Sequence, residues 1–276
     1  MNHHKGTTTQ RHNEGRIVGA GFGRQAPAKA GACSAVFVVL LCLCAFVVTV
    51  HAQSRTNQTI DQMIQALGGQ TFLDVKDIHT TGRFFAFTRG DLSGGDLFSD
   101  YIKFPDMKRT EFGGTKNKSI TINRGKEGSK VEGKKDPEQQ TPGEVEDFLK
   151  EFKTSFDYVL RFVVGERQTT IQNLPTEIID FKKNDVVELR DASKNRIRFY
   201  IDRETHLPQK MQVRRNDDSK LREEQYANWH KFQGVMTPLY VSRSTDGVKT
   251  MEIRAETAAY NSGLSETLFT QLTPAK

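Results

Sequence analysis

Read for hydrophobic and polar alternation, the chain changes period several times. Gln58 to Leu67 places Ile60, Met63, Ile64 and Leu67 at helical spacing and stops at Gly68-Gly69, which predicts a short amphipathic helix. Period-two segments follow, predicting strands over Ile78–Thr88, Asp96–Phe104, Lys108–Phe112 and Ser119–Asn123. Between Gly125 and Gly143 the residues turn to Lys, Glu, Gly, Asp and Pro, a solvated loop or hairpin tip. Thr141-Pro142-Gly143-Glu144 then supplies an N-cap, a proline at the first helical position and a capping-box glutamate. The helix it opens carries Val145, Phe148, Leu149, Phe152, Phe156, Val159 and Leu160 on one face.

The last hundred residues predict a β-meander. Its strands are expected over Glu177–Lys183, Val186–Asp191, Arg196–Asp202, Leu207–Arg214, Leu221–Phe232, Val235–Ser244 and Val248–Ala259. Short turns join them: Lys183-Asn184-Asp185, Ser193-Lys194-Asn195, Gln233-Gly234 and Asp246-Gly247. Ile197, Phe199 and Ile201 share one face of their strand, as do Met211 and Val213 of theirs, while the other faces carry Arg, Lys, Glu and Gln. The expected fold class is α+β, mainly antiparallel β.

Residues 1–52 read as a separate element. Ala32 to Val50 runs without a charge behind basic residues, and Val50-His51-Ala52 resembles a signal-peptidase site. The expectation is export, with cleavage after Ala52 and a domain spanning 53–276; the alternative is an uncleaved anchor helix. Five basic residues and one acid fall in this leader, so of the net +6 only +2 remains on the domain, 35 basic against 33 acidic residues. That balance argues against nucleic acid as a partner. All three cysteines (Cys33, Cys42, Cys44) also lie in the leader, which leaves the domain without thiol or disulfide chemistry and suits a bacterial periplasm.

No motif for a nucleophile elbow, a zinc protease or a phosphate loop occurs, and the domain's histidines (His79, His206, His230) have no ligand spacing. No catalytic residue, metal or cofactor is expected, and the chain does not read as an enzyme. What stands out is phenylalanine, 15 of 18 in the domain. An antiparallel sheet bent over a Phe-rich helix can leave an apolar cavity, although the same residues can equally pack into a dry core.

The order of features resembles a known family. Ala66-Leu67-Gly68-Gly69 closes the first helix, Asp77-Ile78-His79-Thr80-Thr81-Gly82 opens the first strand, and Phe199-Tyr200-Ile201-Asp202-Arg203-Glu204-Thr205-His206-Leu207-Pro208 forms a later hairpin. Glu223-Glu224-Gln225-Tyr226 leads through Gly234-Val235-Met236-Thr237-Pro238 to Asn261 and Leu268-Phe269. This is similar to the outer-membrane lipoprotein-sorting protein-like family of the LolA/LolB/LppX superfamily. The resemblance implies an incomplete, curved β-barrel covered by helices. It also implies a periplasmic, non-catalytic carrier of lipid or lipoprotein acyl chains, served by a membrane-bound donor or acceptor protein. Phe148, Phe152 and Phe156 would then form a lid, with Phe85, Phe87, Ile197, Phe199, Met211 and Val213 on the concave wall. The alternative is an envelope sensor that uses the same fold to bind a protein partner.

Overall fold

The computed structural model describes residues 57–114 and 118–273. The expected leader, its cysteines and the cleavage after Ala52 lie outside the described residues. Among the described residues no helix is long and apolar enough to cross a membrane.

Helix α1 (Gln58–Leu67) begins where the Asn57 carboxamide oxygen accepts the amide protons of Thr59 and Ile60, and it buries all four apolar residues of its stripe. It ends at Gly68, whose φ of +130° and close approach to the Gly234 carbonyl admit no side chain. One short turn of helix, α2 (Gln70–Leu73), follows and buries Phe72.

Strands β1 (Asp77–Thr88), β2 (Asp91–Lys103), β3 (Met107–Phe112), β4 (Ser119–Arg124), β5 (Glu127–Val131) and β6 (Glu138–Gln139) form a first meander. The stretch expected to be a solvated loop thus holds two further strands, β5 and β6. Helix α3 (Pro142–Lys153) starts with the capping box in place: the Thr141 hydroxyl accepts from the Glu144 amide and the Glu144 carboxylate accepts from the Thr141 amide. The expected longer helix breaks after Lys153, because the Thr154 and Ser155 hydroxyls donate back to the carbonyls of Lys150 and Phe152. It resumes as α4 (Phe156–Tyr158), which runs into a π-helical turn over Val159–Val163.

The second meander comprises β7 (Thr170–Ile179), β8 (Lys182–Arg190), β9 (Arg196–Asp202), β10 (Pro208–Arg214), β11 (Leu221–Phe232), β12 (Val235–Thr245) and β13 (Val248–Tyr260). The β7–β8 turn falls on Asp180-Phe181, both at positive φ, rather than on the Asn184-Asp185 that composition favours. Asn184 and Asp185 instead pair with Asp202 and Ile201 inside the sheet.

All thirteen strands make one antiparallel sheet in the order β6-β5-β4-β3-β2-β1-β13-β12-β11-β10-β9-β8-β7. The first and last strands pair with each other and fuse the two meanders. β6 and β7 are the two edges, so the sheet is an open, curved half-barrel rather than a closed barrel. This is the fold class that the sequence resemblance implies.

Two packed clusters lie on opposite faces of this sheet. The main core sets α1, Phe72 and the turn Val159–Val163 against Val187, Leu189, Ile197, Phe199, Met211 and Val213. The second joins Tyr101, Ile120 and Ile122 to Phe269 of a 3-10 turn (Glu266–Phe269) in the C-terminal segment. Bulges set which residues share a face. At Thr81/Gly82 the register with β13 slips past Glu256, so Ile253 and Ala255 face the same side as Ala258 and Tyr260. Gly82 is the residue that permits this contact, since a Cβ there would stand 2.2 Å from the Arg254 carbonyl oxygen.

Candidate functional site: an apolar cavity with a polar wall

Over β8, β9 and β10 the helices fill the concave side; over the remaining inner strands they do not. There a cavity of about 490 Å³ remains, walled by seven neighbouring strands (β4, β3, β2, β1, β13, β12, β11) and roofed by α3 and α4. Its apolar wall is Phe84 and Phe112, whose rings stand 4.9 Å apart, with Val241, Met251 and Ile253. The roof is aromatic: Phe148 meets Phe152 at 5.4 Å, Phe152 meets Phe104 at 6.1 Å, and Phe156 meets Tyr226 at 5.2 Å.

Of the residues singled out from the sequence, Phe148, Phe152 and Phe156 line the cavity. Phe85 and Phe87 do not. Phe84 takes their place, since the inward set of β1 is Ile78, Thr80 and Phe84, while Phe85 lies beneath the Arg254 guanidinium and Phe87 beneath the Lys249 ammonium. Ile197, Phe199, Met211 and Val213 face inward but do not line this cavity. They are at most 4% exposed, pressed by helix into the main core.

Two polar features of the cavity carry no motif in the sequence. The first is a charge cluster that ties the roof to the sheet. Arg222 and Arg243, from β11 and β12, both donate to the Glu151 carboxylate of α3, at 3.0 and 2.7 Å. Arg243 also pairs with Glu224 at 2.8 Å, and the Tyr226 hydroxyl donates to the same carboxylate at 2.8 Å. Burial pushes the Glu224 carboxyl up, but Arg243 and Arg222 outweigh it and hold the group below the ordinary carboxylate range. The same burial, with the Glu224 charge, drives the Tyr226 phenol well above its ordinary value. Glu223-Glu224 looks like a chance acidic pair in the sequence; alternation separates the two across the sheet, and only Glu224 faces the cavity.

The second feature is a polar row on β1 to β4. Thr80, Asp100, Thr110 and Thr121 stand opposite one another in register across four strands. All four line the cavity, with Lys108 and Asn123 beside them. Further along the wall the Tyr260 and Thr237 hydroxyls share a hydrogen bond of 2.6 Å, and burial together with the Asp157 charge pushes the Tyr260 phenol up to about 12. Among the described residues no group of three or more His, Cys, Asp or Glu is placed to hold a metal ion.

This architecture is shared with solved proteins at low sequence identity. A DUF1329 family protein from Desulfovibrio piger superposes with a TM-score of 0.53 at 12% identity, over 76% of this chain and 95% of that one. A putative outer membrane lipoprotein-sorting protein domain from Vibrio parahaemolyticus superposes with a TM-score of 0.50, also at 12% identity and over 76% and 95% of the two chains. The likeness is one of fold. No protein-family model matches the chain, and no curated protein matches it.

Proposed function

We propose that this chain is a non-catalytic carrier that holds a lipid, or the acyl chains of a lipoprotein, in the cavity beneath α3. The observation that carries the reading is the Phe-walled cavity itself. A domain that packs α1 and the π-helical turn tightly over β8–β10 leaves about 490 Å³ open over β1–β4 and β11–β13. That volume lies within the usual range for small-molecule sites of roughly 300–1,000 Å³. Acyl chains bind such a wall by burial alone, at about 25 cal/mol per Å² of apolar surface removed from water. The likeness in fold to a lipoprotein-sorting domain supports the same reading. The leader-like residues 1–52 support export to the periplasm, where a membrane-bound donor or acceptor protein would load or unload the carrier.

Native mass spectrometry of detergent-free protein tests this directly. The expected result is co-purifying lipid, and uptake of a fluorescent fatty acid that the cavity-filling substitutions Met251→Trp and Ile253→Trp abolish. Protein that carries no lipid and takes up none overturns the reading; a specific protein ligand recovered from such lipid-free material would favour a sensor instead.

A further inference from the structure

An interior built only to hold hydrocarbon has no use for a polar row, yet the inner face of β2–β4 is polar at its centre. Asp100 stands between Thr80 on β1 and Thr110 on β3, and Thr110 stands opposite Thr121 on β4. The Thr110 hydroxyl donates to one Asp100 oxygen at 2.6 Å, and the Lys108 ammonium reaches the other at 3.1 Å. Both charged side chains stay accessible, Lys108 at 34% and Asp100 at 18%. The other ion pairs of the cavity are committed to structure: Glu224 and Glu151 share Arg243, and Arg222 ties Glu151 to the sheet. Asn123, opposite Lys108, is held by Gln140 at 2.8 Å.

Resting on the carrier reading above, we propose that the Lys108–Asp100 pair is a headgroup subsite for a zwitterionic phospholipid bearing an ammonium and a phosphate. The ammonium of the headgroup takes Asp100, which the Thr110 hydroxyl holds in place, the phosphate takes Lys108, and Thr80 and Thr121 supply hydroxyls to the phosphate oxygens. The chains then lie along Phe84, Phe112, Met251 and Ile253 beneath the aromatic roof. The physical reason is charge matching in a partly desolvated site. A headgroup carrying both signs leaves neither protein charge unpaired, an anionic headgroup must sit against Asp100, and an uncharged one gains only hydroxyl contacts.

The test incubates the full chain with vesicles of equal parts phosphatidylethanolamine, phosphatidylglycerol and diacylglycerol, then reads the retained lipid by native mass spectrometry. The expected result is phosphatidylethanolamine enriched about tenfold over either competitor. Lys108→Met or Asp100→Asn should erase most of that enrichment. Should a single variant melt below the assay temperature, the neutral double variant Asp100→Asn/Lys108→Met leaves no buried charge unpaired, and it should hold phosphatidylethanolamine and phosphatidylglycerol equally. Wild-type protein that retains the three lipids in their vesicle proportions overturns the subsite but leaves the carrier standing, as does a double variant that keeps the wild-type preference. Retention of no lipid overturns both.

Discussion

Strand β4 and the strands β8–β10 belong to one sheet and share one alternating pattern, yet they bury their apolar residues on opposite faces. On β8–β10 the apolar residues face the helices. Val187, Leu189, Ile197 and Phe199 are fully buried on the concave side, and Glu188 sits on the far side among Arg190, Arg196 and Arg198. On β4 the apolar residues face outward. Ile120 and Ile122 lie beneath the C-terminal segment, while Thr110, Thr121, Lys108 and Asn123 face the cavity. Alternation gives a strand two chemically distinct faces; what covers each face decides which one becomes core. The inverted region is what leaves room, and polarity, for a ligand.

The largest expected effect comes from uncovering the inverted region. Arg109 is 1% exposed, pairs with Glu111 at 2.7 Å and donates to the carbonyls of Leu268, Gln271 and Thr273. Arg109→Met should cost about 3–5 kcal/mol by denaturant unfolding, since the three carbonyls of the C-terminal segment lose their charged donor, while Glu111 keeps Lys118. Limited proteolysis of the variant should cut first within 264–273; an unchanged midpoint and cleavage pattern would show that the segment is held otherwise.

An isosteric exchange sharpens the comparison. Val187→Thr places a hydroxyl in the dry core and should cost roughly 1–3 kcal/mol. Thr121→Val, on the cavity wall, should stay within about 0.5 kcal/mol. Equal costs would mean that the two inner faces are not different in kind.

The convex side of β8–β10 predicts a pH effect. Burial raises the Glu188 carboxyl, but hydrogen bonds from Arg198 and Arg190 outweigh it and bring the group below its ordinary 4.5. A depressed folded-state value contributes stability that is fully present above about pH 5 and is lost as pH falls through the lower folded value. Glu188→Gln should therefore lose less stability than the parent as pH falls below about 5, while being less stable at neutral pH. Parallel acid-unfolding curves would refute the assignment.

The smallest effect sits at the tip of β7–β8. Phe181 has a φ of +64° and is fully exposed. A side chain in that backbone region costs about 1–2 kcal/mol, and glycine's extra freedom offsets roughly half of it. Phe181→Gly should raise the unfolding midpoint by the equivalent of about 0.5–1 kcal/mol.

Much of the site's frame is legible in the sequence, and its interior much less so. The Phe-bearing helix with its capping box is readable because both depend on neighbours three or four residues away, and Phe148, Phe152 and Phe156 do line the cavity. Phe85 and Phe87 misdirect because their strand is apolar on both faces at that end, so alternation does not say that Phe84 is the inward one. Arg222, Glu224, Arg243 and the row from Thr80 to Thr121 are invisible for a different reason: each is an ordinary polar residue until the register sets it beside its partners.

What the sequence determines alone is local. It sets the two periods, the helix starts at Asn57 and Thr141, the antiparallel class and most of the turns, because these follow from backbone sterics and hydrogen bonds between near neighbours. What only the tertiary structure decides is which face is inside. A bulge of one residue reverses it, as at Glu256, and a distant segment such as 264–273 can make a core of the outer face. Burial depends on what packs above a strand, and that partner is set by the path of the whole chain.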